Sequence, residues 1–337
     1  MRLMDADADD ESRTLTWAHG RTEVQRLGAM LAPVVFHAAG HADFQPMHVA
    51  PWAREPGADA LPGILRRLRG EWPCVPFGRV DALRDLPPGW RPTRPDDDWG
   101  HGYGAHHAWQ WLPSDSASTL ELSLLYPPGS AVHRLTRTVS AVADAPALDV
   151  TLRIEVRRPC TLPVALHPTL RLDLGRLALR VPHRGPGVTY PVDVAPDVSR
   201  LAPNRPFSSL SRAPAADGGD IDLSRYPQAV DSEELVQLAD VAGPVVLDYL
   251  DQHWTFEIDW DRALLPDVML WVSHRGRFHE PWNGRHLALG VEPLNGVFDL
   301  GRVATAPADH PLATREGIAL DPSTPCVIRC ALRARAV

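Results

Sequence analysis

The stretch LWVSHRGRFHEPWNGRHLALGVEPLNGVFDL, residues 270–300, contains two predicted strands separated by a polar loop. Residues 270–272 indicate a buried strand, and apolar residues at positions 287, 289 and 291 indicate a second one, covered on both faces. Glu292 stands where this second strand ends. A carboxylate there is partly desolvated, which raises its pKa and suits a general base. The alternative is a structural carboxylate paired with Arg277 or Arg285.

Alternating apolar and polar residues recur along most of the chain. Turn residues separate these segments at hairpin-like intervals, and no long stretch has the helical period of 3.6 residues. The predicted strands are residues 121–126, 148–156, 162–174, 245–260, 268–273, 287–291 and 326–334. Many short strands of this kind predict an all-β fold, built as a large antiparallel sandwich.

The other segments set the expected boundaries. A strand pair is expected in residues 24–36, and a long polar loop in residues 200–237 with a short helix near 232–238. Residues 1–16 are acidic, and we expect them to be disordered. Because there is no repeat and no clear linker, residues 17–337 are expected to form a single β-sandwich domain.

Composition and charge exclude several classes of protein. With 337 residues, 44% of them hydrophobic and 23% charged, the chain can bury a sizeable core. A net charge of −8 argues against binding to nucleic acid, which needs a basic surface. No apolar run reaches the ~20 residues that span a bilayer, and the acidic start lacks the order of a secretion signal. We therefore expect a cytoplasmic protein without nucleic-acid or membrane partners.

The absence of lysine restricts the chemistry further, since every one of the 34 Lys and Arg residues is arginine. Schiff-base and pyridoxal chemistry need a lysine amine, and a P-loop needs a lysine on the phosphates. No GxGxxG motif follows a strand, and the four cysteines form no CxxC pair. The chain is therefore expected to use no cofactor, and its chemistry to rest on His, Asp, Glu, Arg and Tyr.

One histidine cluster, WGHGYGAHHAWQW at residues 99–111, lies on a glycine-rich loop between tryptophans. His101, His106 and His107 could bind a metal ion, but their spacing matches no recognised ligand motif and no carboxylate is near. We therefore predict no metal. Tryptophans beside such a loop suit a sugar, whose C–H faces stack on aromatic rings.

A second histidine, His167 in ALHPTL, interrupts an apolar strand and is followed by Pro168. A lone strand histidine can be purely structural, bonded to a backbone carbonyl. A proline after it marks an edge or a bulge, where a side chain can point into a cleft. Together with Glu292, His167 would form an acid–base pair for a sugar hemiacetal, whose ring opens when a base takes the anomeric hydroxyl proton and an acid protonates the ring oxygen.

Four motifs follow one another along the chain: GEWPCVPFG at 70–78, HGYGAHHAW at 101–109, ALHPTL at 165–170 and LALGVEPLNGVFD at 287–299. In content, order and spacing they resemble the galactose mutarotase (aldose 1-epimerase) superfamily, and most of all its hexose-6-phosphate mutarotase-like branch. GRVDALR at 78–84 resembles a segment that carries a sugar-binding arginine in the mutarotases proper. The resemblance covers roughly residues 24–335.

The resemblance implies the family's β-supersandwich and an aldose 1-epimerase activity on a small-molecule sugar, in a monomer or homodimer. It implies that Glu292 is the base on the anomeric hydroxyl and His167 the acid on the ring oxygen. Asp248 and Asp251 are candidates for the family's middle aspartate. Roles in substrate binding are assigned to His101, Arg79, Trp109, His107, Trp282, Arg285 and Asp248.

Departures from the family leave alternatives open. Ala105 stands where the branch has an arginine ligand, and Thr169 and Leu170 stand where it has tyrosine and phenylalanine. These differences would suit a non-catalytic carbohydrate-binding protein on the same fold. A lyase or hydrolase is a further alternative, although a hydrolase needs two carboxylates around the bond and the sequence offers one clear candidate. A cupin-like metal enzyme is the last alternative.

Overall fold

A computed structural model describes residues 11–337, and nearly all regular structure in that range is β-strand. Short 3₁₀ helices lie at Ala58–Ala60, Gly63–Arg67, Tyr103–His106, Leu210–Arg212 and Phe298–Leu300. No helix in this range is long and apolar enough to cross a membrane. The strands are β1 (Ser12–Trp17), β2 (Gly20–Gln25), β3 (Leu31–Phe36), β4 (Pro73–Cys74), β5 (Arg91–Pro92), β6 (Gln110–Trp111), β7 (Thr119–Leu125), β8 (Val132–Ala141), β9 (Ala147–Val156), β10 (Cys160–Leu162), β11 (Val164–Leu166), β12 (Thr169–Arg171), β13 (Leu177–Arg180), β14 (Gly187–Thr189), β15 (Pro206–Phe207), β16 (Ala213–Pro214), β17 (Asp220–Ile221), β18 (Arg225–Tyr226), β19 (Ser232–Leu238), β20 (Val245–Tyr249), β21 (Trp254–Trp260), β22 (Asp267–His274), β23 (Leu287–Asn295), β24 (Ala304–Thr305), β25 (Ile318–Leu320) and β26 (Cys326–Ala336).

Two large antiparallel sheets form most of the described structure. The nine-stranded sheet has the order β18–β13–β20–β21–β26–β9–β8–β7–β6. The eight-stranded sheet has the order β15–β14–β19–β22–β23–β11–β4, with β12 also paired to β23. A three-stranded sheet, β1–β2–β3, and three two-stranded ribbons accompany them. The predicted all-β fold is therefore confirmed.

The eight-stranded sheet is covered on both faces, and this positions the site. Along β22, Leu270 and Val272 pack in a core shared with the nine-stranded sheet, because alternate side chains of a strand point to opposite faces. Met269 and Trp271 point the other way, into a second apolar cluster. The second strand of the opening stretch, β23, is likewise buried along most of its length, as the sequence predicted.

The region 200–237 is not one long loop, and the short helix predicted near 232–238 is wrong. β19 occupies these positions, pairs with β22 along its whole length and is buried at every residue. Two adjacent glutamates in this strand made the sequence indicate a polar, exposed segment. Glu234 accepts the backbone N–H of Arg200 at 2.7 Å, and Glu233 forms an ion pair with Arg277, so both can be buried.

The predicted disordered segment, residues 1–16, has the wrong end point. β1 begins at Ser12 and pairs with β2 from Ser12 to Trp17. Its alternation places Leu15 in the core, and that burial stabilises the strand. Residues 1–10 lie outside the described part of the chain.

A buried ion pair joins Arg137 of β8 to Glu71, and it gives a test of the packing between strands and loops. Replacing Arg137 by alanine would leave the Glu71 carboxyl buried without its partner. We expect the free energy of unfolding, measured by urea denaturation at pH 7, to fall by about 3–5 kcal/mol. Arg329→Ala, at an exposed position of β26, is the control and should change it little. A loss below about 1 kcal/mol for Arg137→Ala would contradict a structural role for the pair.

Candidate active site

A cavity of about 130 Å³ lies on the outer face of the eight-stranded sheet, the face that carries Met269 and Trp271. Strands β19, β22 and β23 form its floor, and loops supply its walls. The side chains that line it are Ile64, Leu65, Leu68, Trp72, His101, His167, Leu235, Met269, Trp271, Arg277, Trp282, Glu292 and Asp299. We refer to it below as the site cavity.

His167 and Glu292 meet in the site cavity, with 3.3 Å between His167 Nε2 and Glu292 Oε1. His167 lies in the short break between β11 and β12, both of which pair with β23, the strand of Glu292. Two backbone hydrogen bonds hold the break in place. The His167 N–H donates to the Trp72 carbonyl at 3.0 Å, and the Pro168 carbonyl accepts the N–H of Val291 on β23 at 2.8 Å. The break therefore holds the imidazole against the carboxyl group.

The Glu292 carboxyl group is buried, with 1% of the residue exposed. Burial raises its pKa well above the ordinary value, and the nearby Asp299 carboxyl group raises it further. Its Oε2 atom has no hydrogen-bond partner among the described residues. A buried carboxyl oxygen without a partner is costly unless a ligand supplies one, so this atom is available to a hydroxyl group.

His167 is held on two sides. Its ring stacks on Trp72, with 4.0 Å between centroids and 16° between planes. Its Nδ1 lies 3.2 Å from the Thr169 hydroxyl, and its Nε2 faces Glu292. Burial, and then the nearby His101, lower the pKa of His167 well below its ordinary value. The imidazole is therefore neutral at pH 7 in the unliganded site.

Two proton arrangements are possible for this pair, and they carry the same net charge. In one, protonated Glu292 faces neutral His167; in the other, the proton has moved to His167 Nε2 and leaves an ion pair. Burial favours the first arrangement. Hydrogen bonds from a bound polyhydroxyl ligand would stabilise the second, which presents a base and an acid side by side.

Aromatic rings form much of the wall of the site cavity. Trp271 donates its indole N–H to Glu233 Oε1 at 2.6 Å, and this bond fixes the ring on the floor. Arg277 Nε lies 2.8 Å from the same oxygen, and its guanidinium covers the Trp271 and Trp282 rings at 5.2 and 4.5 Å. Ser273 donates to the other Glu233 oxygen at 3.0 Å. Glu233 therefore fixes the positions of Trp271 and Arg277 in this wall.

Asp299 is a second carboxyl group in the site cavity. It accepts the Tyr190 hydroxyl at 2.7 Å, and burial raises its pKa although Tyr190, Arg79 and Arg277 oppose the shift. Arg79 is not part of the lining. It lies behind Asp299, donates its Nε–H to the Asp81 carbonyl at 3.0 Å, and has its pKa raised because Asp299 and Tyr190 outweigh the effect of burial.

Of the residues predicted for substrate binding, the structure brings His101 and Trp282 into the site cavity beside His167 and Glu292. The His101 ring lies 5.7 Å from the His167 ring and 5.2 Å from Phe77. Burial lowers the pKa of His101 to about 4, so its imidazole is neutral at pH 7.

Besides Arg79, four other residues predicted for substrate binding lie outside the lining of the site cavity. Trp109 is fully buried in the main core, where its indole N–H donates to the Gly104 carbonyl at 2.9 Å. His107 stacks on Tyr103, with 3.6 Å between centroids. These two side chains face their own loop and do not line the site cavity, so their contact with a ligand stays a prediction.

Ion pairs hold the other two residues, Arg285 and Asp248, away from the site cavity. Arg285 forms a bidentate pair with Glu55 at the surface. Asp248 lies on β20 of the nine-stranded sheet and pairs with Arg180. Neither lines the site cavity, so the substrate-binding role given to each stays a prediction. Asp251, the other candidate, pairs with Arg176 at the surface.

Several lining residues were not predicted. Trp72 stands in the GEWPCVPFG motif and Asp299 ends the LALGVEPLNGVFD motif, so both had a signal in the sequence. Trp271 of β22 and Arg277 of the following loop lie in the opening stretch, but nothing in their spacing shows that their side chains line one cavity. Glu233, the buried acid behind the wall, was hidden in a segment predicted as loop and helix.

The three histidines of residues 99–111 do not converge. His106 Nε2 lies 2.6 Å from the Gly100 carbonyl, His107 Nδ1 lies 2.8 Å from the Tyr103 carbonyl, and His101 turns into the site cavity. Within residues 11–337, no group of three or more His, Cys, Asp or Glu side chains is placed to hold a metal ion.

Behind Trp271 lie two more buried histidines. His286 stacks on Trp271 at 5.3 Å, bonds through Nδ1 to the Ser273 hydroxyl at 2.9 Å, and lies 4.5 Å from the His48 ring. Burial lowers the pKa of His286 well below its ordinary value and that of His48 to about 4. Both rings are therefore neutral in the folded protein at pH 7.

The pKa of His48 predicts acid sensitivity. The unfolded chain binds a proton at this residue near pH 6.5, whereas the folded chain binds it only near pH 4. The free energy of unfolding should therefore be highest above pH 6.5 and decrease towards pH 4, by at most about 3 kcal/mol from this residue. Urea denaturation from pH 7 to 4.5 should show a shallower decrease for His48→Gln. Exposed His41→Gln is the control, and equal slopes in all three proteins would contradict the assignment.

Fold and site together define a β-sandwich protein with a buried carboxyl–imidazole pair in a cavity walled by tryptophans. Solved structures of the galactose mutarotase and aldose 1-epimerase kind share this fold over nearly the whole chain. No protein-family model matches the chain, and no curated protein matches it in sequence.

Three of the similar structures show the extent of the match. A candidate aldose 1-epimerase from Escherichia coli K12 has a TM-score of 0.63 at 18% identity, covering 97% of this chain and 99% of that one. A GalM/aldose epimerase homologue from C. elegans has a TM-score of 0.62 at 11% identity, covering 97% of this chain and 99% of that one. A galactose mutarotase-like protein from Lactobacillus casei ATCC 334 has a TM-score of 0.57 at 13% identity, covering 96% of this chain and 100% of that one. The predicted fold is confirmed, whereas the hexose-6-phosphate branch stays a prediction.

Proposed function

We propose that this protein interconverts the α and β anomers of an aldose by acid–base catalysis. The observation that carries the proposal is the 3.3 Å contact between His167 Nε2 and Glu292 Oε1 in a cavity walled by tryptophans. Similarity in fold to proteins described as aldose 1-epimerases and mutarotases supports it.

The reaction uses the ion-pair arrangement of the two residues. The Glu292 carboxylate takes the proton of the anomeric hydroxyl, and His167 Nε2–H gives its proton to the ring oxygen as the bond between C1 and that oxygen breaks. Rotation about the C1–C2 bond then presents the other face of the aldehyde. Ring closure reverses both transfers, so each group regains its starting proton state.

The lining suits the other atoms of a sugar. Trp72, Trp271 and Trp282 offer flat apolar surfaces for C–H faces, while Asp299 and His101 offer polar atoms for hydroxyl groups. Neither proton transfer requires a metal ion or a cofactor.

Polarimetry on freshly dissolved α anomers of a panel of free aldoses tests this function. The protein should speed the approach to the equilibrium rotation for at least one sugar, in proportion to its concentration. The alternative, a carbohydrate-binding protein without catalysis, would give saturation-transfer NMR signals from a bound sugar while the rotation changes at the rate in buffer.

A further inference from the structure

Arg277 follows β22 in the chain and is the one arginine that lines the site cavity. The proposed proton transfers give it no role. Its side chain is 28% exposed, whereas the side chain of its ionic partner, Glu233, is completely buried. Holding a long charged side chain in one orientation costs conformational entropy, so this arrangement points to a task for the guanidinium group.

Three contacts fix that guanidinium group. Its Nε atom lies 2.8 Å from Glu233 Oε1, and its Cζ atom lies 4.5 Å from the centre of the Trp282 ring and 5.2 Å from that of Trp271. The planes of the two rings are 85° apart, so both faces of a corner contact the cation. Glu233 is itself held by the Trp271 indole N–H and the Ser273 hydroxyl. The orientation of Arg277 is therefore set before a ligand binds.

The two Nη atoms of Arg277 are uncommitted. Glu233 contacts the Nε atom, and no hydrogen bond joins either Nη atom to another residue of the range 11–337. The two atoms carry four N–H donors in a planar fork. Such a fork binds two neighbouring oxygen atoms at once.

The charges around Arg277 favour neutral oxygen atoms as its ligands. The Glu233 carboxyl group lies against the cation, and two more carboxyl groups, those of Glu292 and Asp299, line the same cavity. A carboxylate or phosphate would add another negative charge to this set. A hydroxyl oxygen accepts a hydrogen bond without adding charge.

An aldose offers such oxygen atoms. The proposed reaction engages the anomeric hydroxyl at Glu292 and the ring oxygen at His167, and it leaves the other ring hydroxyl groups free. Hydroxyl groups on adjacent ring carbons present two oxygen atoms side by side, as an arginine fork requires. Trp271 and Trp282, beside the guanidinium group, offer surfaces for the C–H groups between them.

We propose that Arg277 binds two adjacent hydroxyl groups of the sugar ring through its Nη atoms, and that Glu233 is the positioning residue for Arg277. This deepens the proposed function and rests on it for the class of ligand. Binding can be measured apart from the reaction, so the two can fail separately.

Arg277→Met removes the donors and keeps apolar contact with the tryptophans. Titrations with a panel of free aldoses, followed by protein NMR, should give dissociation constants about 10–100-fold higher than for wild type. The kcat of anomer exchange should change less than about threefold, because these hydroxyl groups take no part in the bond changes. Arg277→Lys, which keeps the charge without the fork, should recover only part of the affinity. Arg275→Met is the control, since Arg275 pairs with Asp231 at the surface.

A series of monodeoxy sugars identifies the hydroxyl groups. For the aldose that the wild-type protein binds most tightly, the analogues lacking the hydroxyl at C2, C3 or C4 are titrated in turn. Two analogues with neighbouring deletions should bind wild type about tenfold more weakly than the parent sugar, and should bind Arg277→Met as well as the parent does. Equal losses in the two proteins for every analogue would overturn the assignment.

Glu233→Gln tests the positioning role. Its amide group meets three donors with one acceptor oxygen, so we expect Arg277 to lose its fixed orientation and the dissociation constant for the sugar to rise about tenfold. Glu234→Gln is the buried control on the same strand, where the carboxyl group accepts the Arg200 backbone N–H instead. If Glu233→Gln does not fold, Glu233→Asp withdraws the carboxylate by one methylene. Wild-type affinity in a folded Glu233 variant would remove the positioning role.

The outcomes separate this proposal from the proposed reaction. Weaker binding by Arg277→Met, without faster exchange by wild type, upholds the role of Arg277 and removes the reaction. Exchange by wild type, with unchanged affinity in folded Arg277→Met, upholds the reaction and overturns the role. A loss confined to anionic sugars such as D-galacturonate would mean that the guanidinium group binds a charge, and would overturn recognition of hydroxyl groups. Absence of binding by every sugar contradicts both.

Discussion

Glu292→Gln should lower the rate of catalysed anomer exchange by about 10²–10⁴-fold, because the amide cannot take the proton of the anomeric hydroxyl. The folded structure should tolerate the change. Burial, and then Asp299, raise the pKa of Glu292 and so favour its protonated form, and glutamine matches a protonated glutamate in size and hydrogen-bonding capacity. NMR exchange rates and thermal unfolding of the same preparation measure the two effects separately.

The matched control for Glu292→Gln is Glu257→Gln. Glu257 lies on β21 of the nine-stranded sheet, outside the site cavity. The same chemical change there should leave exchange at the wild-type rate. A Glu292→Gln protein that retains wild-type exchange would contradict the assignment of the base.

His167→Phe should reduce exchange by a similar factor, about 10²–10⁴. A phenyl ring can keep the stacking on Trp72 but has no nitrogen to protonate the ring oxygen. The variant therefore separates proton transfer from packing more cleanly than alanine, which would also leave a cavity. The measurement is the rate of anomer exchange for the sugar that the wild-type protein converts, together with the affinity of the variant for that sugar.

His107→Phe is the control for that substitution. His107 was assigned to the site from the sequence but stacks on Tyr103 instead. Its replacement should leave exchange at the wild-type rate, because the side chain lies outside the site cavity. Loss of activity in His107→Phe together with full activity in His167→Phe would reverse the two assignments.

Strand patterns predicted most of the fold because burial leaves a period of two in the sequence. β9 and β26 show the alternation clearly, and β22 and β23 show the continuous apolar runs of strands covered on both faces. β19 was not predicted as a strand because Glu233 and Glu234 are of a residue type that is usually exposed. Their burial depends on Arg277 and on backbone N–H groups far away in the sequence, and no local pattern carries that information.

The site was predictable in part for a similar reason. His167 interrupts an apolar run and Glu292 directly follows one, and a polar residue in such a position needs a partner or a function. The resemblance to the mutarotases assigns Trp109, Arg285 and Asp248 to substrate binding, although a tryptophan can be core and a charged residue can pair at the surface. Which of these roles applies depends on the packing of distant segments.

We propose that the paired carboxyl and imidazole groups exchange the anomers of a sugar. The most direct measurement is two-dimensional NMR exchange spectroscopy on an aldose already at anomeric equilibrium, where no net reaction occurs. With wild-type protein, cross-peaks between the α and β anomeric protons should grow in proportion to protein concentration, and Glu292→Gln should return them to the level in buffer. Cross-peaks that stay at the buffer level with wild-type protein, for free aldoses and hexose 6-phosphates alike, would contradict this activity.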